Sequence, residues 1–273
     1  MEEIIVVQPP GNPIYVFTLA ALTVAMLWEA LTPRRELRGG MIWRWTNNFS
    51  LSLVSWYTAV VASTAYLMWL GSWAQINQYG LFQAVQAPYP VIFFTLLVVS
   101  QFLSYLVHIA FHKIAWLWPI HAVHHSDIDV DVATSYRHHP LEALVSLPFI
   151  TPVILLLGIP MEVIAGYKIF EVTFTIFSHS NIRIPESLEK YLRWVILTPD
   201  FHRLHHCSEV RFTNSNYGSL IPWYDYLFGT ASSRPYKEQE AMELGLEYLR
   251  EPRDSRLDRL IWEPVLVWRE LHR

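Results

Sequence analysis

Cysteine is almost missing from this sequence: Cys207 is the single one in 273 residues. That excludes an internal disulfide and a resident iron–sulfur cluster, which ordinarily takes four thiolates. No G-x-G-x-x-G stretch marks a dinucleotide site, and no fused haem domain is visible, so any electrons the protein uses come from elsewhere. Charge is scarce as well. Charged residues make up 16% of the chain, where a soluble domain carries roughly a quarter. Between Trp45 and His112 there is no Asp, Glu, Lys or Arg. The 20 basic residues are scattered among 24 acidic ones, so no basic block exists to hold phosphates and a nucleic-acid partner is excluded. The first apolar run is preceded by Glu2 and Glu3 instead of a basic segment, which argues against a cleavable signal peptide. Internal repeats and low-complexity tracts are missing too.

What is present is apolar: 52% hydrophobic and 15% aromatic residues. The fold class expected is all-α, an integral membrane helical bundle of three spans plus a helical hairpin, with a cytosolic, helical, histidine-rich cap. After an extended leader at Gln8–Gly11, Asn12 and Pro13 suit the N-cap and first turn of a span from Ile14 to Leu31. Its 18 residues reach about 27 Å, close to the hydrocarbon thickness. The next loop sets Arg34, Arg35, Arg38 and Arg44 against Glu36, which places it in the cytoplasm by the positive-inside rule. Leu51–Leu70 is the second span, Gly71–Pro90 an uncharged outer connection, and Val91–Val107 the third span, delivering His108 and His112 at its cytoplasmic end.

Leu144–Phe177 is apolar but interrupted by Pro148, Pro152 and the turn Gly158-Ile159-Pro160, and it contains Glu162, Lys168 and Glu171. Its first arm from Leu144 is about 21 Å as a helix, which suggests a hairpin that enters and returns to the same side. Beyond Arg183 the composition turns soluble. Leu257, Leu260, Ile261, Val265, Trp268 and Leu271 recur at helical spacing around Pro264, an amphipathic helix for the membrane surface or the protein's own core. The expected parts are residues 1–90, a membrane region; 91–232, the catalytic domain; and 233–273, a cytosolic tail.

Eleven of the twelve histidines fall between His108 and His206. They read H-I-A-F-H (His108, His112), H-A-V-H-H (His121, His124, His125), R-H-H-P (His138, His139), S-H-S (His179) and H-R-L-H-H (His202, His205, His206). Residues three or four apart on a helix share a face, so each cluster aims two or three imidazoles at one point. A lone histidine is ordinarily a hydrogen-bonded surface or core residue, and His272 and His138 are assigned that way. For the clusters that reading fails, because titratable rings packed together are costly unless a cation keeps them neutral. A structural zinc site closes with four ligands, far fewer than are offered here. Two ions with about five imidazoles each match the count; iron acting on O₂ suits such a site, while manganese and zinc stay open. Trp116 and Trp118 are expected to be interfacial anchors. Asp127, Asp129, Asp131, Asp200 and Glu209 are candidates to accept imidazole N–H groups, Asn216 and Asp225 to orient ligands, and Arg137 and Arg203 to pair with these acids.

The order of these clusters beside apolar spans resembles the fatty acid hydroxylase/sterol desaturase superfamily over residues 90–232. The finer likeness is to its bacterial sterol desaturase branch and to alkylglycerol monooxygenases. It is carried by H-H-S-D from His124, R-H-H-P from Arg137, T-P-D-F-H-R-L-H-H from Thr198, N-Y-G from Asn216, Asp225 and F-G-T. The resemblance implies a di-iron centre using O₂, with ten ligands: His108, His112, His121, His124, His125, His139, His179, His202, His205 and His206. His139 is preferred to His138 because relatives place the histidine directly before proline. The third cluster departs from the usual compact form, its members His139 and His179 being separated by the hairpin. The resemblance further implies hydroxylation of a lipid C–H bond, with desaturation on the same site as the alternative. The substrate comes from the bilayer, and electrons come from an external ferredoxin, cytochrome or pterin with its reductase. The location implied is a bacterial inner membrane with the metal site facing the cytoplasm. The competing classes are a metal transporter or metal-binding membrane protein, and a metal-dependent hydrolase. Against the first, the histidines gather at one face; against the second, no carboxylate stands within the H-x-x-H-H clusters.

Overall fold

The computed structural model describes residues 12–38, 40–56 and 62–272. The expected leader lies outside these residues, as do residues 57–61 in the middle of the expected second span. Helix α1 (Asn12–Leu31) is followed by α2 (Met41–Trp56), α3 (Ala65–Ile76) and a short α4 (Leu81–Ala84). The long α5 (Tyr89–Lys113) leads into α6 (Trp118–His125), and α7 (Pro140–Leu157) and α8 (Met161–His179) form the hairpin. The remainder is a set of short helices, α9 (Glu186–Leu192), α10 (Pro199–His205), α11 (Val210–Thr213) and α12 (Trp223–Phe228), closed by α13 (Leu257–Leu271). The only extended pairing among the described residues is two isolated bridges, Pro33 with Ile182 and Cys207 with Leu244. The fold is therefore an all-α membrane bundle.

Helices α1, α5 and α7 are each long and apolar enough to cross a bilayer. Their outward faces explain why lipid is the solvent: Leu19 (62% exposed), Phe94 (63%) and Leu156 (64%) point away from the protein. Such continuous apolar surface would aggregate in water. Inside, Leu67, Leu96, Ile154, Ile159 and Ile164 from α3, α5 and the hairpin make the largest apolar core.

Pro148 and Pro152 do not break α7, which starts at Pro140 and runs 18 residues, about 27 Å. The hairpin tip meets the connection between α3 and α5. Gly80 (φ 98°) and Gly158 (φ 65°) touch there, and a Cβ on Gly80 would lie 2.4 Å from the Gly158 nitrogen. Both arms thus run the distance from the histidines to the far end of α5.

The arginine loop lies at the opposite end, and two of its charges are not solvated. Arg34 and Arg44 are buried in ion pairs with Asp200 and with Asp127 and Asp131. Helix α13 turns Leu260, Glu263 and Val267 inward against α6 and α2, while Ile261, Val265, Trp268 and Leu271 of its apolar stripe stay exposed.

Candidate metal centre

Four segments meet at the loop end of the bundle. The last turns of α5 carry His108 and His112, α6 carries His121, His124 and His125, the end of α8 carries His179, and α10 with the residue after it carries His202, His205 and His206. Helix α10 is set by Thr198, whose hydroxyl accepts the Phe201 N–H at the N-cap, with Pro199 in the first turn. Its i, i+3 and i+4 spacing then turns all three rings to one side.

The rings sort into two groups: His108, His112, His121, His125 and His205 in one, His124, His179, His202 and His206 in the other. Within each group the ligand nitrogens lie within 4.8 Å of one another. The groups adjoin, since the His125 and His206 rings stack at 4.6 Å between centroids.

The tautomers test whether a cation fits. His108 and His205 donate Nδ1–H to the carbonyls of Tyr217 and Ser215, each at 2.7 Å. Their Nε2 atoms are therefore lone pairs, and they face each other at 3.0 Å. The second group repeats this. His124 and His179 donate Nδ1–H to the carbonyls of Arg137 (3.2 Å) and Thr175 (2.8 Å), and their Nε2 lone pairs stand 3.1 Å apart. Two lone pairs at that distance repel unless a cation lies between them. Nitrogens held about 2.1 Å from one ion, at near right angles, are about 3 Å apart, so the spacing suits metal. His112 Nε2 and His125 Nε2 are also buried with no hydrogen-bond partner.

Burial reinforces neutrality. It pushes His124, His125, His202 and His206 well below the usual imidazole range, and neighbouring histidines add to the shift. His205 falls to about 3, chiefly by burial. An unfolded chain protonates these rings near pH 6.5, so below that pH it binds more protons than the folded one. Stability and metal retention should both fall as pH drops from 6.5 toward about 3. Thermal unfolding and bound-metal analysis at pH 7.5, 6 and 5 check this; a flat profile would contradict it.

His139, expected among the ligands, stays outside both groups. Its Nδ1 accepts the Leu141 N–H at 3.3 Å as the N-cap of α7, and its Nε2 donates to the Ile261 carbonyl at 3.3 Å. With both nitrogens engaged, the ring is a joint between α7 and α13. His138, set aside from sequence, lies instead on the centre: its ring stacks on His124 at 4.2 Å and its Nδ1 meets Glu142 at 2.9 Å.

Glu142 was not singled out from sequence, although R-H-H-P-L-E puts it one turn after His138. It also receives His121 Nδ1–H at 3.4 Å, so one carboxylate orients two rings. Glu142→Gln should weaken metal binding by about 10–100-fold, the usual loss when a ligand's hydrogen-bond partner is removed. Competition with a chelator measures it.

The acids expected to accept imidazole N–H groups bind other partners instead. Asp127 and Asp131 bind Arg44, Asp200 binds Arg34 and Arg203, and the exposed side of Glu209 pairs with Arg211 and Arg234. Asp129 Oδ2 accepts the Arg38 backbone N–H. Asp225 works through backbone: its two oxygens accept the N–H groups of Tyr217 and Gly218, each at 2.7 Å, and the Tyr217 carbonyl holds His108. Asn216, at φ 55°, donates to the Phe201 carbonyl of α10. Of the expected interfacial tryptophans, Trp116 is exposed (62%), while the half-buried Trp118 packs its ring 5.0 Å from His112.

The fold and this cluster define a helical membrane protein with a polyhistidine metal centre. The sequence model of the family described as fatty acid hydroxylase matches residues 93–230, half of the chain, and the protein belongs to that family. Among curated relatives, ornithine lipid hydroxylase of Rhizobium tropici is 29% identical over 51% of this chain and 41% of its own length. Alkylglycerol monooxygenase of Xenopus tropicalis is 32% identical over 46% of this chain and 27% of its own. A very-long-chain aldehyde decarbonylase of Oryza sativa is 31% identical over 48% and 21%. The chain thus spans about two fifths or less of the length of these relatives. No solved structure matches it.

Proposed function

We propose that the protein is a membrane oxygenase that hydroxylates a C–H bond of a lipid, with two iron ions held by the two histidine groups and O₂ as co-substrate. The observation that carries this is the pair of opposed lone-pair contacts, one in each group, at the mouth of a membrane bundle. When bound, iron supplies O₂ reduction and oxidation of an unactivated C–H bond. The chain's own part is to hold the imidazoles neutral and aimed, to admit a lipid and to exclude water.

A path for the lipid supports the reading. A cavity of about 240 Å³ is walled by His108, His121, His124, His179 and His202. A second, of about 220 Å³, continues between α5, α7 and α8, and Ser104, Val107, Ser146 and Glu171 line both. A substrate can therefore reach the centre along apolar helices without leaving the bilayer. Two of the relatives are named for oxygen insertion into lipids, which favours hydroxylation over desaturation. The arginines packed at the histidine end are consistent with a cytoplasmic face of a bacterial inner membrane. Electrons then come from an external ferredoxin, cytochrome or pterin with its reductase.

Lipid mass spectrometry of cells carrying the protein or its His124→Ala variant tests the proposal, together with metal analysis of both. One lipid class heavier by one oxygen, only with the parent protein and with two irons per chain, is the expected result. A loss of two hydrogens would mean desaturation. Zinc with hydrolytic products, or metal with unchanged lipids, would overturn the reading.

A further inference from the structure

We infer that electrons enter the centre from the aqueous side through the Trp118 indole, at the cavity that Trp118 lines. This rests on the oxygenase reading above. A cavity of about 270 Å³ is walled by His112, Trp118, Val210, Tyr248 and Leu271, among others. Apart from His112 in the last turn of α5, its walls come from the cap: α6, α11, the segment 245–248 and the end of α13. It shares no wall residue with either cavity of the lipid path.

The centre therefore has two mouths on different solvents. Hydroxylation needs R–H + O₂ + 2 e⁻ + 2 H⁺ to give R–OH and H₂O, so two reactants of opposite solubility must arrive. The lipid comes through the bilayer; the two electrons come from the aqueous side. Trp118 joins the second mouth to the metal ligands. Its ring is 5.0 Å from His112 and 5.5 Å from His125, both of the first group. An indole carries no charge at neutral pH and offers a large π system in van der Waals contact with two imidazoles, a short tunnelling route into an otherwise buried centre.

A ruthenium–bipyridyl photosensitiser on an engineered cysteine tests the route without knowledge of the natural donor. Cys207 is buried (1% exposed) and is not labelled. Glu247→Cys puts the dye on the cavity wall, while Lys237→Cys puts it on an exposed turn that does not line the cavity. Flash photoreduction of the ferric centre is read optically in the iron-loaded protein, with iron content and thermal unfolding checked for each variant. From residue 247, Trp118→Leu should slow photoreduction several-fold and Trp118→Phe should largely restore it, while the rate from residue 237 stays as it was. If Trp118→Leu leaves the rate from residue 247 unchanged, or slows both positions equally, the route is wrong. If no variant or parent shows a photoreducible metal signal, the oxygenase reading fails and takes this inference with it.

Discussion

Replacing His205 with alanine should abolish lipid oxidation and strip metal from the first histidine group, with the largest functional loss of any single substitution outside the second group. His205 Nε2 faces His108 Nε2 at 3.0 Å, and its ring lies 4.5 Å from that of His125 and 4.8 Å from that of His112. Its Nδ1–H is fixed by the Ser215 carbonyl, so the lone pair has one direction to point. Loss of a hydrogen-bond partner of a ligand costs about 10–100-fold in affinity, and loss of the ligand itself costs more. If the two groups hold one ion each, as proposed, metal analysis should find close to one ion per chain instead of two, and product should fall below detection. His139→Ala supplies the contrast. It removes an N-cap and a bond to α13, so it should lower stability by about 0.5–2 kcal/mol while both ions stay. His272→Ala, on an exposed ring stacked against Trp268, should change neither. Full metal occupancy and normal product in His205→Ala would refute the assignment.

These three histidines also show how far the sequence can be read. The H-x-x-H-H and H-x-x-x-H clusters were legible because helical spacing alone decides which rings share a face. His179 was legible only by resemblance: it is one residue at the end of a hairpin, and nothing local signals that the returning arm brings it to His124. The choice between His138 and His139 could not be made from spacing, since adjacent residues differ only in where the chain turns. Pro140 starts α7 directly after His139, and that turn commits His139 to capping and leaves His138 on the inner side. What charge does not show in sequence is burial: Arg34 and Arg44, counted for sidedness, also sit in buried ion pairs, and Asp127 and Asp131 after the second cluster serve Arg44 and not the imidazoles. Sequence separation hides such pairs: Arg44 and Asp127 are 83 residues apart.

That pair underlies the second large effect. Asp127→Ala should destabilise the protein by about 3–5 kcal/mol, the loss typical of removing one partner from a buried ion pair. Arg44 donates to Asp127 at 2.8 Å and also binds Asp131, with both carboxylates fully buried. Asn48 (3.0 Å) and Thr134 (2.8 Å) donate to the same Asp127 oxygen. Burial alone would raise the Asp127 carboxyl, but the Arg44 and Arg137 guanidiniums outweigh it and hold the group below its usual range. A depressed carboxylate contributes stability above its unfolded value near pH 4 and loses it as pH falls further, so this site adds to the acid sensitivity of the histidines. The consequence is not confined to α2. Asp127 follows His124 and His125 by two or three residues, and Arg137 ties the same turn through Val123 and Ser126. Without its carboxylate, Arg44 is left with an uncompensated share of charge in a dry site, and α6 loses the anchor that keeps its rings aimed. The midpoint of thermal unfolding in detergent should drop by about 10 °C, at roughly 2–4 °C per kcal/mol for a chain of this size. Metal should be lost in the same transition. If Asp127→Ala melts with the parent and keeps its metal, the ion pair is incidental and the cap is held by its apolar contacts alone.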